Sequence, residues 1–200
     1  MPAIGAIDKV ARIAANGERW EPASSIDKTG EQRMGSRASS SGTPGVTPRK
    51  TKAGKYLTFV LAGEEYGLGI LSVREINGLM DITAAPQLPP YVKGFVNLRG
   101  QMIPAVDLRL KLGMEEISYT PETCIIVVEL KRRLMGIIVD QVSEVLDISA
   151  AQIEDAPSFG TMVNANVVLG IGKAKGSAKT LLALDKLFSD EELASVIAAV

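Results

Sequence analysis

The chain has 200 residues with 22 Lys/Arg against 23 Asp/Glu, and its formal charge of −1 gives no overall pull toward nucleic acid or an anionic membrane. It contains no histidine and a single cysteine, Cys124, which excludes His-based triads, imidazole general bases, disulfide frameworks and thiolate metal clusters. Apolar residues make up 46 % but aromatics only 4 %, so the length allows one ordinary domain or two small ones with a core of Val, Ile, Leu and Ala.

In chain order, residues 1–54 come first and stand apart. Ser36 to Gly54 is rich in Ser, Gly, Pro, Thr and Lys, a composition that cannot bury enough surface to offset its ordering entropy, and it reads as a disordered linker. Ahead of it, Ile4, Ile7, Val10, Ala11 and Ala14 fall at helical spacing. A short amphipathic helix over residues 3–15 is the expectation, either a docking peptide or a fraying extension. Up to Gly54 there are nine Lys/Arg and five Asp/Glu; the remainder is acidic, 13 against 18.

From Lys55 the pattern changes to strands. Tyr56–Leu61 is β-rich, a turn follows at Gly63-Glu-Glu65, and Tyr66–Leu71 returns, which predicts a hairpin. Val73–Ile76 is a further strand. Pro86, Pro89 and Pro90 mark an irregular connection, and then Phe95–Leu98, a turn at Arg99-Gly-Gln101 and Met102–Leu108 form a second hairpin. Pro104 cannot donate to a ladder and belongs at an edge or bulge.

The second half repeats the plan. Cys124–Leu130, a turn at Lys131–Arg133 and Leu134–Val139 form a hairpin, and Val142–Val145 echoes Val73–Ile76. Setting Gly67 against Gly136 aligns Val73 with Val142 and Glu75 with Glu144, a shift of 69. Pro104–Leu108 resembles Leu182–Lys186 with a shift of 78. Few helices are signalled: short turns at Asp107–Leu112 and Ser149–Gln152, and a terminal helix opened by the capping box Ser189…Glu192, with Leu193, Val196 and Ile197 on one side. Two units of about five short strands each are the recipe for small barrels, because open sheets that short would leave unpaired edges. The expected fold is therefore all-β with minor α. Two five-stranded barrels lie side by side over 55–115 and 116–200, the second carries the C-terminal helix, and a strand is open to exchange between them.

Reactive constellations are missing from this pattern. Gly67-Leu-Gly69 begins like a dinucleotide fingerprint, but Ser72 occupies the third glycine position and the stretch lies in a hairpin. Gly170–Ser177 lacks phosphate-loop spacing and reads as a glycine-rich loop between strands. Asp107, Asp140, Asp147 and Asp185 are not brought together by any spacing; Asp107 and Asp185 follow apolar strands and read as caps. Lys131-Arg-Arg133 lacks interleaved aromatics and reads as a solvated turn, with no nucleic-acid partner. Cys124, within an apolar run, reads as a buried thiol. No stretch reaches the ~18 apolar residues of a membrane span and no secretory signal opens the chain, so we expect a cytoplasmic protein without direct membrane insertion. Neither catalysis nor a cofactor or metal is expected.

Eight segments, taken in order, resemble the CheW chemotaxis coupling family. They are Glu65-Tyr-Gly67, Val73-Arg-Glu-Ile76, Tyr91-Val-Lys-Gly94, Asn97-Leu-Arg-Gly100, Ile103-Pro104, Val106-Asp-Leu-Arg109, Gly136-Ile-Ile-Val-Asp140 and Val142-Ser-Glu-Val145. The resemblance spans about residues 55–195 and implies two intertwined SH3-like barrels without catalytic activity. It implies an adaptor that couples the cytoplasmic tips of methyl-accepting chemoreceptors to the regulatory domain of the histidine kinase CheA and is recruited to membrane-associated receptor arrays. A scaffold of another receptor–kinase pathway such as surface motility, or a nucleotide-binding enzyme using Gly170–Ser177, are the alternatives. By the same match, Val73, Glu75, Ile76, Gly94, Asn97, Arg99 and Gly100 lie in or beside a groove that takes the receptor's helical hairpin.

Arg99 stands out because it is a cation in an apolar run, at a turn. Glu75 is its expected partner, as both segments belong to one barrel, and a bridge there would leave guanidinium donors free for a partner protein. The plain alternative is a structural bridge or an exposed turn arginine worth under ~1 kcal/mol. Val73 and Ile76 are expected to offer apolar surface to an amphipathic helix.

Overall fold

The computed structural model describes residues 52–155 and 165–198. The helix expected at 3–15, nearly all of the linker and residues 156–164 lie outside them. Two sheets form the body. One has six strands in the order β8-β1-β2-β11-β10-β9 and the other five in the order β3-β6-β7-β5-β4. The strands of the first are β1 (Gly54–Leu61), β2 (Glu64–Gly69), β8 (Gln141–Ile148), β9 (Ile153–Glu154), β10 (Val168–Ala174) and β11 (Ser177–Leu182). Those of the second are β3 (Val73–Gly78), β4 (Val92–Leu98), β5 (Gln101–Asp107), β6 (Cys124–Leu130) and β7 (Arg133–Val139). Each sheet draws strands from both sides of residue 116. Hydrogen bonding leaves each with two end strands, so the five-stranded SH3-like barrels of the sequence reading are present in open form, one with the short β9 added.

The four tight hairpins share one turn geometry. Ala62-Gly63, Arg99-Gly100, Lys131-Arg132 and Lys175-Gly176 all have two successive positive φ angles, 53° and 81°, 52° and 90°, 49° and 65°, 51° and 79°. Two left-handed residues match the right-handed twist of the flanking strands. The first of these turns therefore sits at Ala62-Gly63, and Glu64 and Glu65 already belong to β2.

Pairing registers reveal the repeat. In the parallel pairs, Ala105 opposes Gly136 and Leu181 opposes Gly67. Setting Gly136 on Gly67 is a shift of 69, and setting Ala105 on Leu181 is a shift of 76. With those shifts β3, β6, β7, β5 and β4 superpose in order on β8, β1, β2, β11 and β10. Even the bulges coincide, between Val73 and Glu75 against Leu57 and Phe59, and between Val92 and Gly94 against Val168 and Gly170. The shift of 78 read from sequence is thus corrected to 76. The reason is visible at the helices that follow. Asp107 is the N-cap of α1 (Leu108–Lys111), its carboxylate accepting from the Leu110 N–H at 3.2 Å, whereas Ala183 caps α2 (Leu184–Leu187) and Asp185 lies within that helix. Asp107 and Asp185 are not equivalent.

The largest core cluster lies between the sheets. Leu57, Phe59 and Leu61 of β1 meet Ile126 and Val128 of β6, with Met135 and Ile137 of β7. Ile125 and Val127 face the opposite way, into a smaller cluster with Val96, Ile103 and Ile138. Leu146, Ile148 and Leu181 fill the corresponding space in the other sheet. Both faces of β6 are therefore buried, which is why Cys124–Val128 is continuously apolar instead of alternating. Leu193 and Val196 of α3 (Asp190–Ala198) join the central cluster, the stripe expected of the terminal helix; the side chain of Ile197 lies outside the description. Its capping box forms as read, with Glu192 N–H to Ser189 Oγ at 3.1 Å and Ser189 N–H to Glu192 Oε2 at 2.9 Å.

Candidate functional site

The β4–β5 turn explains where Arg99 is. Strands ending at Leu98 and beginning at Gln101 leave two residues for the turn, and Arg99 takes the first at φ 52°. Asn97 holds it, its Oδ1 accepting from the Gly100 N–H at 2.7 Å. Gly100, at φ 90° and with nothing within 4 Å of a built Cβ, is there for its backbone alone. Across from the turn stands Glu75 on β3. Its Oε2 is 2.8 Å from Arg99 Nη2, and its Oε1 accepts from Asn77 Nδ2 at 2.8 Å. β3 and β4 are the two end strands of their sheet, so this ion pair spans the opening that hydrogen bonding leaves. The arginine side chain is 83 % exposed and the glutamate 22 %. Such a pair is worth at most about 1 kcal/mol to stability, and most of the guanidinium still faces outward.

A second ion pair lies beside the first. Arg74 Nε and Nη2 reach Glu129 Oε2 at 2.9 and 2.7 Å. The four charges rim an open depression of ≈ 430 Å³ whose apolar lining comes from Leu98, Val127 and Leu134. It is the mouth of the β3–β7 sheet, with an apolar floor and alternating charges at its edge.

The residues expected at the groove divide into three kinds. Glu75, Asn97, Arg99 and Gly100 are together at the mouth. Gly94 is structural: a Cβ there would stand 2.2 Å from the Thr83 carbonyl oxygen, and Thr83 pairs with Phe95 through hydrogen bonds of 2.8 and 2.9 Å. Only glycine lets the residue 83–84 backbone lie against β4. Val73 and Ile76 correct the sequence reading. They are 7 % and 4 % exposed and belong to the core between the sheets. The bulge between Val73 and Glu75 is the reason, because an added residue brings positions three apart onto the same face. Leu98 and Leu134 supply the apolar surface instead. Neither was legible as a site residue, since both look like ordinary strand-end hydrophobics. Arg74 and Glu129 were legible only as charges flanking a turn and a motif.

The remaining sequence candidates disperse. The Asp107 carboxylate accepts from Tyr119 Oη at 3.1 Å, which, with burial as the larger cause, pushes the phenol well above its usual range. Asp140 is gripped by Arg109 at 2.6 Å through two nitrogens and accepts from the Ala62 N–H at 2.9 Å, tying α1 to the β1–β2 turn. Lys131 pairs with Asp190. Gly170–Ala174 is strand and only Lys175-Gly176 is turn, so this stretch is a hairpin tip without the strand-to-helix geometry of a phosphate loop. Cys124 is buried, its thiol donating to the Glu122 carbonyl at 3.1 Å, and burial raises its pKa. Among the described residues no group of three or more His, Cys, Asp or Glu is arranged to hold a metal ion, and no helix is long and apolar enough to cross a membrane.

The family model of the CheW-like domain matches residues 55–192. The chain belongs to the CheW family. Chemotaxis protein CheW of Klebsiella aerogenes is 39 % identical over 147 residues, covering 74 % of this chain and 89 % of that protein. Chemotaxis protein CheW of Rhizobium meliloti is 35 % identical over 150 residues, covering 71 % and 97 %. The crystal structure of the scaffolding protein TtCheW from Thermoanaerobacter tengcongensis superposes with a TM-score of 0.65 at 34 % identity, over 70 % of this chain and 95 % of that one. This CheW-family chain is thus a scaffold of the chemotaxis machinery, and its two interleaved sheets have the SH3-like form of that family.

Proposed function

We propose that the chain is a non-enzymatic cytoplasmic adaptor that couples the tips of methyl-accepting chemoreceptors to the regulatory domain of CheA and is carried into receptor arrays at the membrane. The observation that carries the receptor half is the mouth of the β3–β7 sheet. An apolar floor of Leu98, Val127 and Leu134, rimmed by Glu75–Arg99 and Arg74–Glu129, suits the apolar stripe of an amphipathic helix flanked by charges of both signs. Arg99 is the residue we assign to the partner, because its outward donors contribute little to the fold. The family membership supports the kinase half. Modest contacts of this kind gain strength from avidity when many copies share an array.

The test is reconstitution of kinase activation with a cognate receptor and CheA. Arg99→Glu should lower receptor affinity at least tenfold and abolish activation, while shifting the melting temperature by no more than about 2–4 °C, the worth of ~1 kcal/mol in a chain this size. Normal activation by Arg99→Glu would remove the mouth from the mechanism. Activation by the wild type that fails with no receptor present, and returns when receptor is added, is the expected control.

A further inference from the structure

The internal repeat places a second mouth on the other sheet. Under the shifts given above, Glu75 falls on Glu144, Arg99 on Lys175 and Gly100 on Gly176. The two turns have nearly the same dihedrals, φ 52° and 51° at the first position. The ion pair is repeated too, since Lys175 Nζ contacts Glu144 Oε2. The frame of the candidate receptor site is therefore built twice.

The lining is not. Leu98 of the first mouth falls on Ala174, Leu134 on Glu65 and Val127 on Thr58, and Ile103, in the core cluster beneath Leu98 and Leu134, falls on Lys179. Lys179 is 2 % exposed, as deeply buried as the apolar side chain it replaces. Its ammonium group donates to Glu65 Oε2 at 2.9 Å, Ser177 Oγ at 2.7 Å and the Ala174 carbonyl at 3.2 Å, so all three protons are used. Ser177 Oγ donates to the same Glu65 oxygen at 2.7 Å. Thr58, fully buried, donates to the Glu144 carbonyl at 2.8 Å and accepts from its N–H at 3.2 Å. Prying these groups apart to seat an apolar helix would strand the buried Lys179 ammonium without its counter-charge, which opposes binding there.

We infer that the second mouth is a plugged copy of the first, closed by buried Lys179 and its partner Glu65, which leaves one of the two mouths able to accept an apolar helix. One valence matters to an adaptor: a chain with two such mouths could bridge two receptors without the kinase. The inference about valence rests on the receptor reading above; the closure of the second mouth does not.

The experiment counts apolar sites with anilinonaphthalene sulfonate and receptor sites with the receptor's helical-hairpin tip as a peptide, each titrated into the full chain. A separate apolar depression beside Leu130, Leu169 and Leu184 gives a dye background that none of the variants alters, so the counts are read as differences. Leu98→Glu should remove one dye equivalent from the unmodified chain, and the matching change in the second mouth, Ala174→Glu, should remove none. The joint substitution Glu65→Leu with Lys179→Ile, which copies the first mouth, should add one equivalent, while Lys179→Arg adds none. The reverse transplant, Ile103→Lys with Leu134→Glu, should remove the same equivalent that Leu98→Glu removes. Loss of an equivalent on Ala174→Glu would overturn the inference, and so would an unchanged count in a folded Glu65→Leu/Lys179→Ile variant. Should either double variant fail to fold by circular dichroism, the Leu98→Glu and Ala174→Glu counts decide alone. With the tip peptide, one equivalent should bind the unmodified chain and two the opened variant; no peptide binding beside the expected dye counts would refute the receptor reading and leave the plug standing.

Discussion

Acidification should release the C-terminal helix through one side chain, Glu192. Its Oε1 accepts from Tyr91 Oη at 2.8 Å and Lys111 Nζ at 2.5 Å, and its Oε2 closes the capping box on Ser189. Lys111, 11 % exposed, also lies 4.4 Å from the Tyr91 ring centroid and 5.0 Å from that of Phe188. Burial alone would raise the Glu192 pKa, but the hydrogen bonds from Lys111, Ser189 and Tyr91 outweigh it and bring it from 4.5 to about 2. A depressed folded-state pKa means stability that is fully present above the unfolded value of 4.5 and is lost as pH falls through about 2. The full shift corresponds to roughly 3 kcal/mol, and because the carboxylate is 34 % exposed solvent screening reduces this to about 1.5 kcal/mol. Glu192→Gln keeps the shape and removes the charge. Urea denaturation of both proteins from pH 7 to pH 2 should show the wild type about 1.5 kcal/mol more stable above pH ~5, with the gap closing toward pH ~2. A gap that stays constant across that range would refute the electrostatic account, since only shape and packing would then distinguish the two.

Gly94→Ala combines a φ of 141° with a Cβ 2.2 Å from the Thr83 oxygen. It should cost about 3 kcal/mol or more and lower the melting temperature by roughly 6–12 °C, read by calorimetry, whereas Gly100→Ala, with open space around it, should cost only the turn strain of about 1 kcal/mol. Cys124, 1 % exposed, should resist a thiol reagent such as dithionitrobenzoate in the native protein and react at once in guanidinium; rapid native labelling would contradict its burial. Leu71, 84 % exposed, should tolerate change to Glu with less than about 0.5 kcal/mol effect on stability, and pull-down with the CheA regulatory domain will show whether that apolar side chain serves the kinase contact, the expected result being weaker capture.

Much of this molecule is written locally. A capping serine with glutamate three positions on or a β-branched run depends on neighbours within a few positions, and those features appear where the residues themselves indicate, whereas the first turn sits at Ala62-Gly63 instead of Gly63–Glu65. The Glu75–Arg99 pairing was within reach because the two segments could be assigned to one barrel. Burial of Val73 and Ile76 was not, because a bulge changes which face a strand residue takes and its signal lies in the partner strand β6. The repeat shift of 76 was missed for a similar reason: apolar side chains are alike enough to match two positions out of register, and only hydrogen-bond pairing distinguishes the alternatives.

What the amino-acid sequence determines by itself is therefore the inventory: mostly strand, tight turns between paired strands, short helical turns at Asp107–Leu112 and Ser149–Gln152, a capped terminal helix and no histidine chemistry. The tertiary structure alone decides which strands share a sheet, that the largest core lies between the sheets, and that Lys179 stands in one sheet where Ile103 stands in the other. Contacts such as Lys179 with Glu65 join residues more than a hundred positions apart. No local preference encodes such a contact, and it exists only once β2 and β11 have been laid side by side.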